Sequence, residues 1–365
     1  MAAFQGFFKG KRVFLTGHTG FKGSWLAEWL CLLGAEVHGY ALDPQPHELL
    51  FNQLELTNRL AGDTRADLAD RAALEEALCA ARADVVFHLA AQPLVRLSYD
   101  LPVETFATNV MGTVHMLEAV RTAGRPCAVV CITTDKCYEN KEWLHAYREE
   151  DILGGHDPYS ASKGAAEIAI SSYRRSFFPA AGPVKVASAR AGNVIGGGDW
   201  AIDRIVPDCI RALRKGEAIA VRNKQATRPW QHVLEPLSGY LHLAASLASD
   251  ASPELFASAF NFGPPLASNR SVAELVEELV KCAGGQWIDF SDPGAPHEAS
   301  KLNLAVDKAF HLLRWQPVWN FEQTVATAAE WYLAEGTGDS PLEITRRHIA
   351  RYQGAATERG LAWAS

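Results

Sequence analysis

Between residues 11 and 33 a strand pattern, a run of spaced glycines and a helix pattern follow one another without interruption, and few folds accommodate that order. Lys11–Thr16 (KRVFLT) is rich in β-forming and apolar residues, and Gly23–Leu33 has the pattern of a helix. The segment between them, Thr16-Gly17-His18-Thr19-Gly20-Phe21-Lys22-Gly23, spaces its glycines G-x-x-G-x-x-G. Glycine allows the tight turn and lets the backbone approach a pyrophosphate, which then sits where free N–H groups and the helix dipole favour an anion. The spacing is a variant of the G-x-G-x-x-G dinucleotide fingerprint. Gly17, Thr19, Gly20, Phe21, Lys22 and Gly23 are therefore candidate cofactor-binding residues.

The alternation continues downstream. Strand patterns at Glu36–Leu42, Asp84–Leu89, Ala128–Thr133 and Val184–Ser188 are separated by helix patterns at Arg71–Ala81, Val103–Ala119 and Tyr159 to about Phe177. Strands alternating with helices of this length predict an α/β fold, a Rossmann-type doubly wound parallel sheet covered on both faces. The second half is less regular, with helix patterns at Ile205–Lys215, Pro236–Leu247, Val272–Cys282 and Phe321–Leu333, and glycine and proline clusters at Gly192–Gly198 and Gly263–Pro265. We expect a dinucleotide-binding domain over 1–188. Residues 189–365 are expected to be mainly a smaller, mixed α/β substrate-binding lobe, with some segments returning to the sheet.

Composition narrows the function classes. The chain has 365 residues, 48% hydrophobic and 21% charged, which provides for a sizeable core. A net charge of -7 argues against nonspecific nucleic-acid binding, which needs a basic surface. Seven cysteines without a C-x-x-C pair point to reduced thiols, and the amino-terminal segment lacks the pattern of a secretory signal. No apolar run approaches the roughly 20 residues that span a bilayer. We expect a cytoplasmic enzyme with no membrane or nucleic-acid partner. The twelve histidines show neither H-x-x-x-H nor H-E-x-x-H spacing, so no metal site is expected.

The second strand ends Tyr40-Ala41-Leu42-Asp43, with no arginine beside it in the sequence. An acidic residue here holds the adenosine ribose hydroxyls, whereas an arginine accommodates a 2′-phosphate, so Asp43 favours NAD over NADP. Asp63, in Ala61-Gly62-Asp63, either hydrogen-bonds the adenine or is an ordinary loop aspartate.

Asp157-Pro158-Tyr159-Ser160-Ala161-Ser162-Lys163 carries the chemistry. Asp157 suits a helix N-cap and Pro158 the first helical position. Tyr159 and Lys163 then share one helix face. A phenol with an unperturbed pKa of about 10 is a poor base at neutral pH. A nearby ammonium, with the charge of an oxidised nicotinamide, lowers that pKa and lets Tyr159 move a proton during hydride transfer.

Together the fingerprint, His88-Leu89-Ala90-Ala91-Gln92, Thr108-Asn109-Val110, Thr133-Thr134-Asp135 and the Tyr159–Lys163 segment resemble the extended short-chain dehydrogenase/reductase family. Within it, Thr134-Asp135 before the tyrosine is similar to the sugar-nucleotide 4,6-dehydratases. Longer strings are similar to the CDP-glucose-specific branch of that family. They are Ala91-Gln92-Pro93-Leu94-Val95-Arg96, Thr134–Asn140, Arg190–Trp200 and Arg228-Pro229-Trp230-Gln231-His232-Val233. The resemblance runs from about Phe7 to at least Trp319. It implies NAD as cofactor and CDP-D-glucose as substrate.

By that resemblance Tyr159 takes the proton of the sugar 4-hydroxyl while hydride leaves C4 for NAD, and Thr134 hydrogen-bonds the same oxygen. The 4-ketone acidifies the C5 hydrogen; a base removes it, an acid protonates the departing 6-hydroxyl, and hydride returns to C6. Asp135 is the implied acid. The base position holds Lys136, where related dTDP-glucose enzymes have glutamate, and Lys136 either acts as the base or orients Asp135. The resemblance also puts Leu89, Ala90, Ala91 and Asn109 on the cofactor side, and Gln92, Arg96, Asn193 and Asn261 on the substrate side.

A nucleoside diphosphate needs cations or N–H groups, and Arg204, Arg228 and the glycine-rich loop after Asn193 are candidates. Each arginine also has a plain reading as a surface charge. The helices at Val103–Ala119 and Tyr159–Phe177 have apolar outer stripes, and the resemblance implies a homodimer or dimer of dimers through them; burial within one subunit is the alternative. Two further readings stay open: dehydration of another nucleoside diphosphate hexose, and sugar-nucleotide 4-epimerisation. An epimerase needs Tyr159 but no acid and base for losing the 6-hydroxyl, so Asp135 and Lys136 discriminate.

Overall fold

The computed structural model describes residues 3–45, 49–201, 204–249, 253–291, 301–334 and 338–364. Among them, seven strands form one parallel sheet: β1 (Arg12–Thr16), β2 (Glu36–Ala41), β3 (Gly62–Arg65), β4 (Val85–His88), β5 (Cys127–Ile132), β6 (Val184–Ala191) and β7 (Ala259–Phe262). Their order is β7-β6-β5-β4-β1-β2-β3, with every neighbouring pair parallel. The strand order reverses between β1 and β4, which opens a crevice at their carboxyl ends, the usual ligand site of such sheets.

Side chains alternate across each strand, so both faces must be apolar when both are covered. Val13, Leu15, Val85, Phe87, Ala128 and Val130 enter one core; Phe14, Val86, Val129 and Cys131 enter the other. The second core is closed by α2 (Arg71–Ala81), α3 (Gly112–Ala123) and α4 (Pro158–Ser176), through Leu74, Leu78, Met116, Leu117 and Ile170. The first is closed by α1 (Phe21–Leu32) and by helices from the second half: α5 (Ile205–Arg214), α6 (Leu234–Ala248), α7 (Val272–Ala283), α8 (Phe321–Ala334) and α9 (Pro341–Glu358). It runs without a break from Phe4 to Trp363, so residues of both halves share one core.

Three elements differ from their sequence patterns. The polar tetrapeptide Gly62–Arg65 is an edge strand, although Gly-Asp-Thr-Arg has no apolar alternation. The helix expected at Val103–Ala119 starts at Pro102 and passes through a π-helical turn, Ala107–Met111, before α3. The 18-residue α9 had no counterpart in the sequence reading. Its capping box, Ser340 with Glu343, was the available signal. No helix among the described residues is long and apolar enough to cross a membrane.

Candidate active site

The glycines of the first turn are required by close backbone approaches. Gly17 has φ 75°, and a Cβ there would lie 2.7 Å from the nitrogen of Ala90. A Cβ on Gly23 would lie 2.0 Å from the carbonyl oxygen of Gly17. Only glycine lets α1 begin this close to the β1 and β4 ends. Gly20 caps α1 without a side-chain acceptor, which leaves first-turn N–H groups for an anion. Leu89, Ala90 and Ala91 are half-buried on the opposite wall, with the nitrogens of Leu89 and Ala90 bonded to Thr16. This cradle fits a dinucleotide.

The adenosine end is arranged differently from its sequence pattern. Asp43 is exposed, two residues beyond the end of β2. Asp63 is no loop aspartate: it stands on β3, accepts Arg65 Nη2 at 2.7 Å and pairs with Nε2 of the buried His18 at 2.8 Å. No arginine adjoins the β2 end in the sequence, but one reaches it in space. Arg65 is in register with Ala41 and its Nη1 is 3.4 Å from the carbonyl of Leu42, which also accepts the Thr19 hydroxyl at 3.2 Å. The adjacent strand delivers it, which a scan along β2 cannot see. His18 was likewise missed, because its partner lies 45 residues away.

Asp157 caps α4, accepting from the Ser160 nitrogen at 2.9 Å, and Pro158 takes the first helical position. Tyr159 and Lys163 are buried on one face of that helix. Burial is the leading influence on Tyr159, pushing its phenol up to about 12; the Thr134 hydroxyl, hydrogen-bonded to it, and the Arg204 charge pull the other way. Lys163 is not among the leading influences on the phenol; desolvation, with Asp135 adding to it, outweighs the Thr134 hydrogen bond and the Arg204 charge. Burial also draws the Lys163 ammonium down to about 8, with Glu167 opposing. Lys22 falls to about 8 as well, chiefly from burial, then from Arg204, Lys163 and Lys136, while Asp135 raises it. A fingerprint lysine therefore shares an electrostatic field with the reacting groups.

Thr134, Asp135 and Lys136 follow β5, and Asp135–Cys137 is a single 3-10 turn capped by Thr134. Asp135 is 1% exposed. Its Oδ1 accepts the Thr134 hydroxyl at 2.9 Å and Lys136 Nζ at 3.3 Å. The same ammonium donates to Asn193 Oδ1 at 3.0 Å. A buried acid, a lysine and a tyrosine thus meet at the carboxyl end of the sheet.

The comparisons with known proteins agree with this geometry. Residues 14–328 match the family model described as GDP-mannose 4,6 dehydratase. The chain belongs to the GDP-mannose 4,6-dehydratase family. CDP-glucose 4,6-dehydratase of Salmonella typhimurium is 46% identical over 359 residues, 97% of this chain and 99% of that protein. Among solved structures, MoeE5 in complex with UDP-glucose and NAD superposes with TM-score 0.74 at 25% identity, covering 89% of this chain and 99% of MoeE5. The dTDP-glucose 4,6-dehydratase DesIV of Streptomyces venezuelae gives TM-score 0.75 at 23% identity over 91% and 99% of the two chains, which establishes the shared fold.

Within this family member the remaining candidates divide. Arg204 pairs with Asp199 at 3.0 Å, and its charge reaches Tyr159 and Lys22, so it stands at the site. Arg228 is half-buried on the short strand Thr227–Pro229, its Nη1 donating to Thr227 O at 2.9 Å. Arg96 is exposed on the helix Val95–Asp100.

Three substrate-side candidates are bonded or packed within the chain itself. Asn261 is fully buried on β7, where its side chain bonds Tyr138 Oη at 2.8 Å and the Tyr147 carbonyl at 3.0 Å, and so ties those two residues to the sheet. The Gln92 amide is turned inward to Leu94 and Thr105, holding its own turn. The glycine-rich loop after Asn193 is packed tightly at Gly197. A Cβ on Gly197 would strike Trp331 at 1.8 Å, and Trp25 donates to the Gly197 carbonyl at 2.9 Å. Asn109 acts at one remove: it bonds the Gln92 backbone and, through Nδ2, Ser162 Oγ at 2.9 Å, tying the π-helical turn to α4.

Proposed function

We propose that the chain is an NAD-dependent CDP-glucose 4,6-dehydratase that converts CDP-D-glucose to CDP-4-keto-6-deoxy-D-glucose and water. The observation that carries this reading is the Asp135–Lys136 pair held beside Thr134 and Tyr159. The NAD supplies hydride acceptance from C4 and hydride donation to C6. Gly17, Thr19, Gly20, Phe21, Lys22, Gly23, Leu89, Ala90 and Ala91 would hold it, with Asp43 and Asp63 serving its adenosine part.

Tyr159 must first give its own proton to solvent; as the phenolate, favoured by the positive charge of Lys163, it receives the 4-hydroxyl proton and becomes the phenol, while Thr134 orients that oxygen. The elimination that follows needs a neutral amine and a protonated carboxylic acid. Transfer of one proton from the Lys136 ammonium to Asp135, 3.3 Å away, produces both at once. Lys136 then takes the C5 proton and Asp135 gives its proton to the leaving 6-oxygen, which restores the ion pair and releases water. Asn193 keeps Lys136 aimed throughout. Arg204 and Arg228 are the cations for the diphosphate, Arg228 by a bidentate fork.

We place the protein in the cytoplasm, in keeping with its seven free cysteines, and assign it as a homodimer. Val103 and Ile168, 75% and 60% exposed, with Phe106 and Met111, lie on the helices that the resemblance puts between subunits. Exposed apolar stripes of this kind favour a subunit contact.

Purified protein incubated separately with CDP-glucose, UDP-glucose, dTDP-glucose and GDP-mannose, and assayed in alkali for a 4-keto product, tests the reading. Product from CDP-glucose is expected. Product from another nucleotide alone would overturn the CDP assignment, and a galactose-type product would favour epimerisation.

A further inference from the structure

Behind the Tyr159–Lys163 pair lies a buried carboxylate to which the chemistry above assigns no task. Glu167 follows Lys163 by one helical turn and is 2% exposed. Its Oε1 accepts the Thr133 hydroxyl at 2.5 Å; its Oε2 accepts the Ser188 hydroxyl at 2.9 Å and Arg190 Nη2 at 2.8 Å. Thr133 immediately precedes Thr134, Asp135 and Lys136. Arg190 in turn reaches Tyr138 Oη at 2.7 Å and the Glu149 carbonyl at 2.9 Å, on the segment that follows Lys136. One carboxylate on α4 therefore bolts down both ends of the turn that carries the acid and the lysine.

A buried ion pair is rarely kept for stability, since well-packed apolar residues of similar volume are usually as good or better. We propose that Glu167 is a positioning residue of this enzyme: it clamps the Thr134–Lys136 turn against the helix bearing Tyr159 and places a buried negative charge one helical turn from Lys163. The proposal rests on the dehydratase reading for its kinetic arm alone.

The groups facing Lys163 support the second role. They are Glu167 on its own helix, His88 at the end of β4, Cys131 on β5, Cys137 in the turn after β5, and Lys22 at the start of α1, while Tyr159 shares its helix face one turn before it. Burial raises both thiols and lowers His88 to about 3, so at neutral pH these three are uncharged. Lys22 adds like charge. Among these groups Glu167 is the one held as an anion, its carboxyl kept below the ordinary value by Arg190, Thr133 and Ser188 against the penalty of burial.

Removing Glu167's charge exposes Lys163 to unrelieved desolvation and to the stranded Arg190; removing Arg190 does the opposite. The Lys163 pKa, followed by NMR titration of side-chain nitrogens and assigned with Lys163→Met, is expected to fall by about one pH unit in Glu167→Gln and to rise in Arg190→Gln. The basic limb of the kcat/KM profile is expected to move with it, and Glu167→Asp to restore it toward the wild-type position. Thr133→Val leaves the charges in place and should lower kcat by about tenfold with little change in KM or in that limb.

Limbs and lysine pKa that stay put in both charge variants would overturn the electrostatic role. Wild-type kcat in Thr133→Val would overturn the clamp. The NMR titration needs no substrate, so failure of the dehydratase assignment leaves it interpretable. If Glu167→Gln does not fold, Arg190→Gln and Thr133→Val test the two roles by themselves.

Discussion

The two reacting groups of this site are built in contrasting ways. Tyr159 and Lys163 sit on a regular 19-residue helix with an Asp157 cap, and both are buried. Asp135 and Lys136 occupy a single 3-10 turn, and the Lys136 side chain, 21% exposed, is steadied by Asn193, 57 residues further along the chain. The oxidation pair is thus fixed by local structure. The elimination pair depends on two distant attachments, Asn193 in front and the Glu167 network behind. In the proposed mechanism the difference means that the general step, hydride removal from a carbinol, is carried by rigid secondary structure. In that mechanism the step that selects the product would hang on a turn whose geometry Asn193, in the second half of the chain, helps to set.

Variants that break each side separately should show this division. Tyr159→Phe removes the proton acceptor for C4 oxidation and is expected to lower kcat by about 10³-fold, with no nicotinamide reduction in a single turnover. Lys136→Ala should leave that first absorbance change intact yet slow water loss by about 10²-fold, so that reduced cofactor accumulates. Normal turnover by this variant would remove Lys136 from the base position. Asn193→Ala, which frees Lys136 while keeping it, should slow elimination by about fivefold, the equivalent of a hydrogen bond worth about 1 kcal/mol, and leave oxidation unchanged. An equal loss in both steps would show that Asn193 serves the whole site rather than the turn.

The same contrast explains what was legible in the sequence. The strand–glycine–helix start, the Tyr159–Lys163 spacing and the Asp157 cap are local signals, and the corresponding elements stand within a few residues of their expected bounds. Thr134, Asp135 and Lys136 were legible through resemblance, and the structure brings them together with Tyr159. Features made by contacts between distant segments were not legible. Arg65 reaches the β2 end from β3, His18 meets Asp63 across 45 residues, and Asn261 on β7 accepts the Tyr138 hydroxyl. Glu167 lay in plain view at helical spacing from Lys163. Its meaning depended on Arg190 and Thr133, which no periodicity pairs with it.

The central claim, that one cofactor molecule takes hydride from C4 and returns it to C6 while Asp135 and Lys136 expel water between the two transfers, is tested most directly with CDP-glucose deuterated at C4. Mass and NMR analysis of the product is expected to find the deuterium in the C6 methyl group, with solvent-derived hydrogen at C5. Deuterium remaining at C4, or lost from the sugar with free reduced cofactor released, would contradict the account.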